Sequence, residues 1–123
     1  MLLKDFYKVV SIENTAENKY LVQIFINAEH EVFKGHFPGN PIMPGVCMMQ
    51  IIKELTEQIS QSSLFMQSLS NVKFMALINP FNTPELRLEL DISMTDTDLV
   101  KVKNVTYCGE TVALKLSSTY RKI

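Results

Sequence analysis

An α+β fold, with one long helix packed across a curved, mostly antiparallel sheet, is what three features of this sequence predict. Leu86, Leu88, Leu90, Ile92 and Met94 alternate with Arg87, Glu89 and Asp91, the period-two pattern of a half-buried antiparallel strand. One run, from about Pro44 to Ser60, is apolar at first and amphipathic afterwards, as a helix entering a core would be. Breaks at Thr83-Pro84, Asp96-Thr97-Asp98 and Gly109-Glu110 cut the C-terminal half into strands.

The elements follow in order. Phe6 to Ile12 is rich in aromatic and β-branched residues and predicts a strand. The cluster Asn14-Thr15-Ala16-Glu17-Asn18 predicts a turn. Tyr20 to Ile26 predicts a second strand, with Val22, Ile24 and Ile26 on one face, pairing back as a hairpin. A glycine- and proline-rich loop occupies Ala28 to Pro44. Pro44 suits the first helical turn, where its missing N–H would have no partner anyway. Val46 to Ile52 is apolar except for Gln50, so the helix is expected to enter the core buried on all sides. From Lys53 onward Leu55 and Ile59 face in, and Lys53, Glu57 and Gln61 face out. Gln61 to Ser70 reads as a polar connection. Strands are expected at Ser70 to Ala76, Glu85 to Thr95, Leu99 to Tyr107 and Thr111 to Arg121.

The 123 residues fit a single domain, 1–123, long enough to bury a core without disulfides or metal. The net charge of −1, with acids and bases interspersed, argues against a nucleic-acid binder. No apolar run is long enough to cross a bilayer. Met1-Leu2-Leu3 meets Lys4 and Asp5 at once, too soon for the apolar segment of a signal peptide, so a cytoplasmic protein is expected. Cys47 and Cys108 match no zinc or redox spacing and are expected to be reduced and buried. The sequence shows no phosphate loop and no metal constellation, and no cofactor is expected.

The most informative stretch is Gly35-His36-Phe37-Pro38-Gly39-Asn40-Pro41-Ile42-Met43-Pro44-Gly45-Val46. Glycine and proline turn the backbone tightly and stiffen it. They hold an imidazole, which can move a proton near neutral pH, beside a helix start, which attracts a polarised oxygen. His36 is therefore the candidate catalytic residue, against the alternative of a histidine that only ties the loop together. His30 has no motif around it and reads as a surface residue at a strand end. Gln50 is a polar group in an apolar run and needs partners. It either anchors the helix by bonding backbone or orients a ligand or water. Cys47 near the helix start is a nucleophile on paper, but Val46 and Met48 beside it favour a packed thiol.

This stretch resembles the signature of the FabZ-type β-hydroxyacyl-acyl-carrier-protein dehydratases, which have the hotdog fold: His-Phe-Pro, then Pro-(Val/Ile)-Met-Pro-Gly-Val, then a buried helix. A second landmark of that family, Lys-Phe before a proline-rich turn, stands here as Lys73-Phe74 and Asn79-Pro80-Phe81, although the family's Pro-Gly-Asp pattern in that turn is absent. The resemblance implies dehydration of 3-hydroxyacyl thioesters to trans-2-enoyl thioesters in fatty acid or related lipid or polyketide synthesis. It implies His36 as base and the Gly45 N–H as the donor that holds the thioester oxygen. The family's catalytic glutamate, four residues after the loop's valine, is replaced by Gln50, which can position a hydroxyl but cannot give up a proton. Glu54, one turn later on the same helical face, is within water-mediated reach of that position. Phe37, Pro38, Pro44, Val46, Met49 and Glu54 are the expected substrate contacts. Met43, Met48, Met66, Met75 and Met94 join Met49 as possible walls of an acyl tunnel.

The implied partners are an acyl carrier protein or acyl coenzyme A, with Lys53, Lys73, Lys101 and Lys103 as candidate docking residues. A homodimer is implied, its sheets joined edge to edge and His36 of one subunit near Gln50 of the other. Two alternatives stay open. The chain could be a non-catalytic subunit paired with a second hotdog protein, or an acyl thioesterase using Glu54 or Glu31 to activate water.

Overall fold

The computed structural model describes residues 5–34, 42–95 and 97–123. Six strands and one long helix form from these, in the order β1 (Tyr7–Ala16), β2 (Lys19–Ile26), α1 (Glu31–Lys34), α2 (Gly45–Ser60), β3 (Leu64–Phe74), β4 (Glu85–Met94), β5 (Leu99–Cys108) and β6 (Thr111–Lys122). The sheet order is β1-β2-β4-β5-β6-β3, with every neighbouring pair antiparallel. This is the hotdog arrangement, an antiparallel sheet about one long helix.

The alternation in β4 does what its pattern demands. Leu86, Leu88, Leu90 and Ile92 are buried while Glu85 and Glu89 face solvent. Val22, Ile24 and Ile26 of β2, Val100 and Val102 of β5, and Leu114 and Leu116 of β6 extend the same inner face. Against it lies a stripe of α2, Cys47, Met48, Ile51, Ile52, Leu55 and Thr56. That spacing is one face of a 3.6-residue helix. The helix therefore does not enter the core buried on all sides: Val46, on the far side from the stripe, is 72 % exposed. Thr56 is buried because its Oγ1 donates to the Ile52 carbonyl at 2.7 Å, which satisfies the hydroxyl within the helix.

Several boundaries differ from the sequence expectation. β1 runs on to Ala16 because Asn14 Nδ2 donates to the Ala16 and Lys19 carbonyls at 3.0 Å, closing the hairpin arm. Its turn is shorter, with Asn18 in the left-handed region at φ 64°. The helix begins at Gly45, with Pro44 just outside it. β3 starts at Leu64, inside the expected polar connection, and ends at Phe74. Two register breaks, at Met66/Ser68 and Ser70/Lys73, and a left-handed Asn71 disrupt its alternation, so the strand carries no period-two signal. The Leu64 N–H also donates to Glu57 Oε2 at 2.9 Å, tying the strand start to α2.

The single-turn helix α1 lies inside the expected loop. His30 Nδ1 accepts the Val32 N–H at 3.1 Å at its start, and the ring meets Phe6 edge-on at 5.1 Å between centroids. His30 is thus a half-buried helix-start residue, not a surface strand end. Both cysteines are free; Cys47 is buried, as expected, but Cys108 is only half-buried.

Candidate functional site

Two features meet α2 on different sides. The first is an apolar groove of about 430 Å³ at its amino end. Gly45 and Met48 of α2, Met43 before it, Phe74 at the end of β3, Leu77 beyond it and Leu114 of β6 are among its walls. The groove is built by short backbone ties. The Met43 N–H donates to the Ile78 carbonyl at 2.8 Å, and the Met75 N–H to the Ala113 carbonyl at 2.8 Å. These fix the segment after β3 against the entry to α2.

Gly45 is required at this place by close approach. A Cβ there would lie 2.7 Å from Cζ of Phe74, so only a glycine lets that ring lie across the helix start. The Pro44 carbonyl accepts from Cys47 and Met48 at 3.1 and 3.3 Å. The Gly45 N–H belongs to the first turn, whose donors have no acceptor within a helix. Gly45 itself borders the groove, at the end of α2 where the helix dipole is positive.

The second feature is a hydrogen-bonded trio on the other side of the helix. Gln50 Nε2 donates to Glu54 Oε2 at 2.9 Å, and the Tyr7 hydroxyl donates to Glu54 Oε1 at 2.8 Å. Burial raises the Tyr7 phenol above its ordinary value, and the bond to Glu54 and that carboxylate's charge raise it further. At 100° per residue Gln50 lies about 140° round the helix from Gly45, and Glu54 about 180°. Gln50 and Glu54 are therefore brought together with each other but not with the groove.

Among the remaining expected contacts, Gly45, Met43, Met48 and Met75 border the groove. Pro44 and Met49 are half-buried, Val46 is exposed, and none of the three is among its walls. Met66 is half-buried and Met94 exposed, away from it. His36, Phe37 and Pro38 lie outside the described residues. Burial pushes the Cys47 thiol up, which suits a packed side chain and not a nucleophile. Tyr7 went unnoticed in the sequence: it is 47 positions from Glu54, and only the fold joins them. No helix among the described residues is long and apolar enough to cross a membrane.

The model of the ApeI-like family, described as ApeI dehydratase, matches residues 12–114. A 3-hydroxyacyl-acyl-carrier-protein dehydratase FabZ from Alkaliphilus metalliredigens is 31 % identical over 106 residues, 80 % of this chain and 70 % of that protein. The same enzyme from a Caulobacter species is 30 % identical over 90 residues, 66 % of this chain, and the match spans only about half, 54 %, of its length. Among solved structures, the dehydratase heterocomplex ApeI:P from Xenorhabdus doucetiae aligns with a TM-score of 0.73 at 18 % identity, covering 94 % of this chain and 97 % of that one. A mutant thioesterase from Pseudomonas aeruginosa aligns with a TM-score of 0.66 at 6 % identity, covering 94 % and 81 %, a likeness of fold alone.

Proposed function

This chain belongs to the FabZ-type hotdog dehydratases, and from that premise we propose that it dehydrates a 3-hydroxyacyl thioester to the trans-2-enoyl thioester. The observation that carries this reading is the apolar groove ending on the amino end of α2 at Gly45. Thioether walls adapt to a flexible acyl chain. A chain lying there sets its thioester carbonyl at the helix start, where the Gly45 N–H stabilises the oxygen as it gains negative charge. His36 takes the proton from the carbon beside that carbonyl. The hydroxyl on the next carbon departs as water and needs a proton. Gln50 holds this hydroxyl but cannot supply the proton, so the imidazolium formed at His36 returns it.

The groove and Gln50 lie on different sides of one helix, which favours a site shared by two chains. The family resemblance implies a homodimer in which His36 of one subunit works with Gln50 of the other, and β3, an edge of the sheet, is the strand along which we join the two chains. The acyl carrier is anionic in either form, carrier protein or coenzyme A. β3, β5 and β6 together hold six Lys or Arg and no Asp or Glu, which supports docking there. The reaction belongs to fatty acid or related lipid synthesis in the cytoplasm.

Restoring a carboxylic acid tests the arrangement. Gln50→Glu is expected to raise hydration of a crotonyl thioester, the reverse reaction, by about 100-fold, the lower end of what a general acid contributes. An unchanged rate contradicts the assigned place of Gln50. A second reading, a subunit that needs a different hotdog partner, is favoured by Gln50 itself and by the Xenorhabdus doucetiae structure being a heterocomplex. Purified chain that is inert alone and active when mixed with such a partner supports it.

A further inference from the structure

The bonds at Glu54 decide how Gln50 presents itself. A glutamine amide is nearly symmetric in shape, and either its N–H₂ or its carbonyl can face a neighbour. Glu54 settles the choice. Both of its oxygens accept, one from Gln50 and one from Tyr7, so Nε2 of Gln50 turns toward it, at 2.9 Å from Oε2. The flipped amide would press two acceptor oxygens together. Tyr7, reaching across from β1, donates to the other carboxylate oxygen at 2.8 Å and keeps Glu54 from turning away. The phenol stays protonated at ordinary pH because burial and the Glu54 charge both oppose its ionisation. The planar amide then aims Oε1 of Gln50 away from Glu54, and among the described residues no donor reaches that oxygen.

We propose that Tyr7 and Glu54 are positioning residues that lock Gln50 with its carbonyl oxygen outward, and that this oxygen selects acyl chains bearing a hydroxyl over unsubstituted ones. The selection rests on the acyl-thioester reading given above; the lock does not. A hydroxyl donates to Oε1, whereas a methylene lying there displaces water from that oxygen and leaves it unpaired. One net hydrogen bond corresponds to about a tenfold preference.

The test uses the full chain and two inert probes, 3-hydroxybutyryl and butyryl pantetheine with the thioester replaced by an amide. Calorimetry is expected to show the wild type binding the hydroxylated probe about ten times more tightly. Tyr7→Phe, which keeps the ring, should bring that ratio near one without weakening the butyryl probe, and Glu54→Leu should bring the ratio near one as well. Unchanged ratios in both variants, with melting temperatures near wild type, overturn the proposal. The lock has its own readout in the side-chain amide NMR signals of Gln50. One of the two amide protons should be shifted downfield, and the shift should vanish in Glu54→Leu. An unshifted pair in the wild type overturns the lock. A shifted pair in a protein that binds neither probe overturns the selection together with the acyl-thioester reading. Equal binding of both probes overturns the selection and leaves that reading standing.

Discussion

At the scale of single residues, Gly45 shows how a motif letter acquires a physical reason. Its place in Pro44-Gly45-Val46 is visible in the sequence, but the cause is the Phe74 ring, which comes from the end of β3. Gly45→Ala puts a methyl 2.7 Å from Cζ of that ring. Phe74 is 57 % exposed, so the ring can swing outward. The expected cost in stability is about 1 kcal/mol, the low end for overpacking. Chemical denaturation checks this, and the Gly45→Ala/Phe74→Ala double variant should recover the overpacking term. Tyr7 gives a pH signature. Its folded value lies above the unfolded 10.0, mainly through burial. Below about pH 10 both states keep the proton and nothing is lost. As pH rises beyond that, the unfolded chain ionises first, and stability falls toward the folded value. Tyr7→Phe should make this alkaline decline shallower in pH-dependent denaturation; an identical decline in both proteins speaks against a half-buried phenol bonded to Glu54 at this place.

At the scale of elements, the helix and the strands were legible to the degree that burial is one-sided. β2 and β4 bury alternate residues, so their period is open to reading. The start of α2 was misjudged because an apolar run does not say which of its members face the core; Val46 faces out while Met48 is fully covered. β3 was half missed because its bulges and left-handed Asn71 erase the alternation. Leu55 lies in the middle of the buried stripe and is 0 % exposed, so Leu55→Ala should cost about 2–5 kcal/mol. Thr56 is equally buried, but its hydroxyl bonds only within its own helix. Thr56→Val removes a self-satisfied polar group at constant shape and should fall within about 1 kcal/mol of wild type. Denaturation midpoints measured on both variants separate the two cases, and equal losses would argue against the stripe.

At the scale of the whole molecule, β3 and β1 are the edges of the sheet. An edge strand offers unpaired backbone groups to another chain. β3 carries the end of the groove, and the groove and the Gln50–Glu54–Tyr7 trio lie on different sides of α2. The proposed dimer across β3 is the arrangement invoked to unite these two features, which no single chain does. Sedimentation at micromolar concentration is expected to give twice the 14.1 kDa chain mass; a monomer would leave the shared site unsupported. The expectation of a dimer comes from the sequence only through family resemblance, since nothing in composition or periodicity says which edge pairs.

The proposal that the chain uses an imidazole on an acyl thioester is tested most directly by the hydration rate of a crotonyl thioester in wild type and His36→Ala, compared at matched secondary structure by circular dichroism. The account expects turnover in the wild type and a loss of about 100-fold or more in the variant. Equal rates in the two proteins would contradict it.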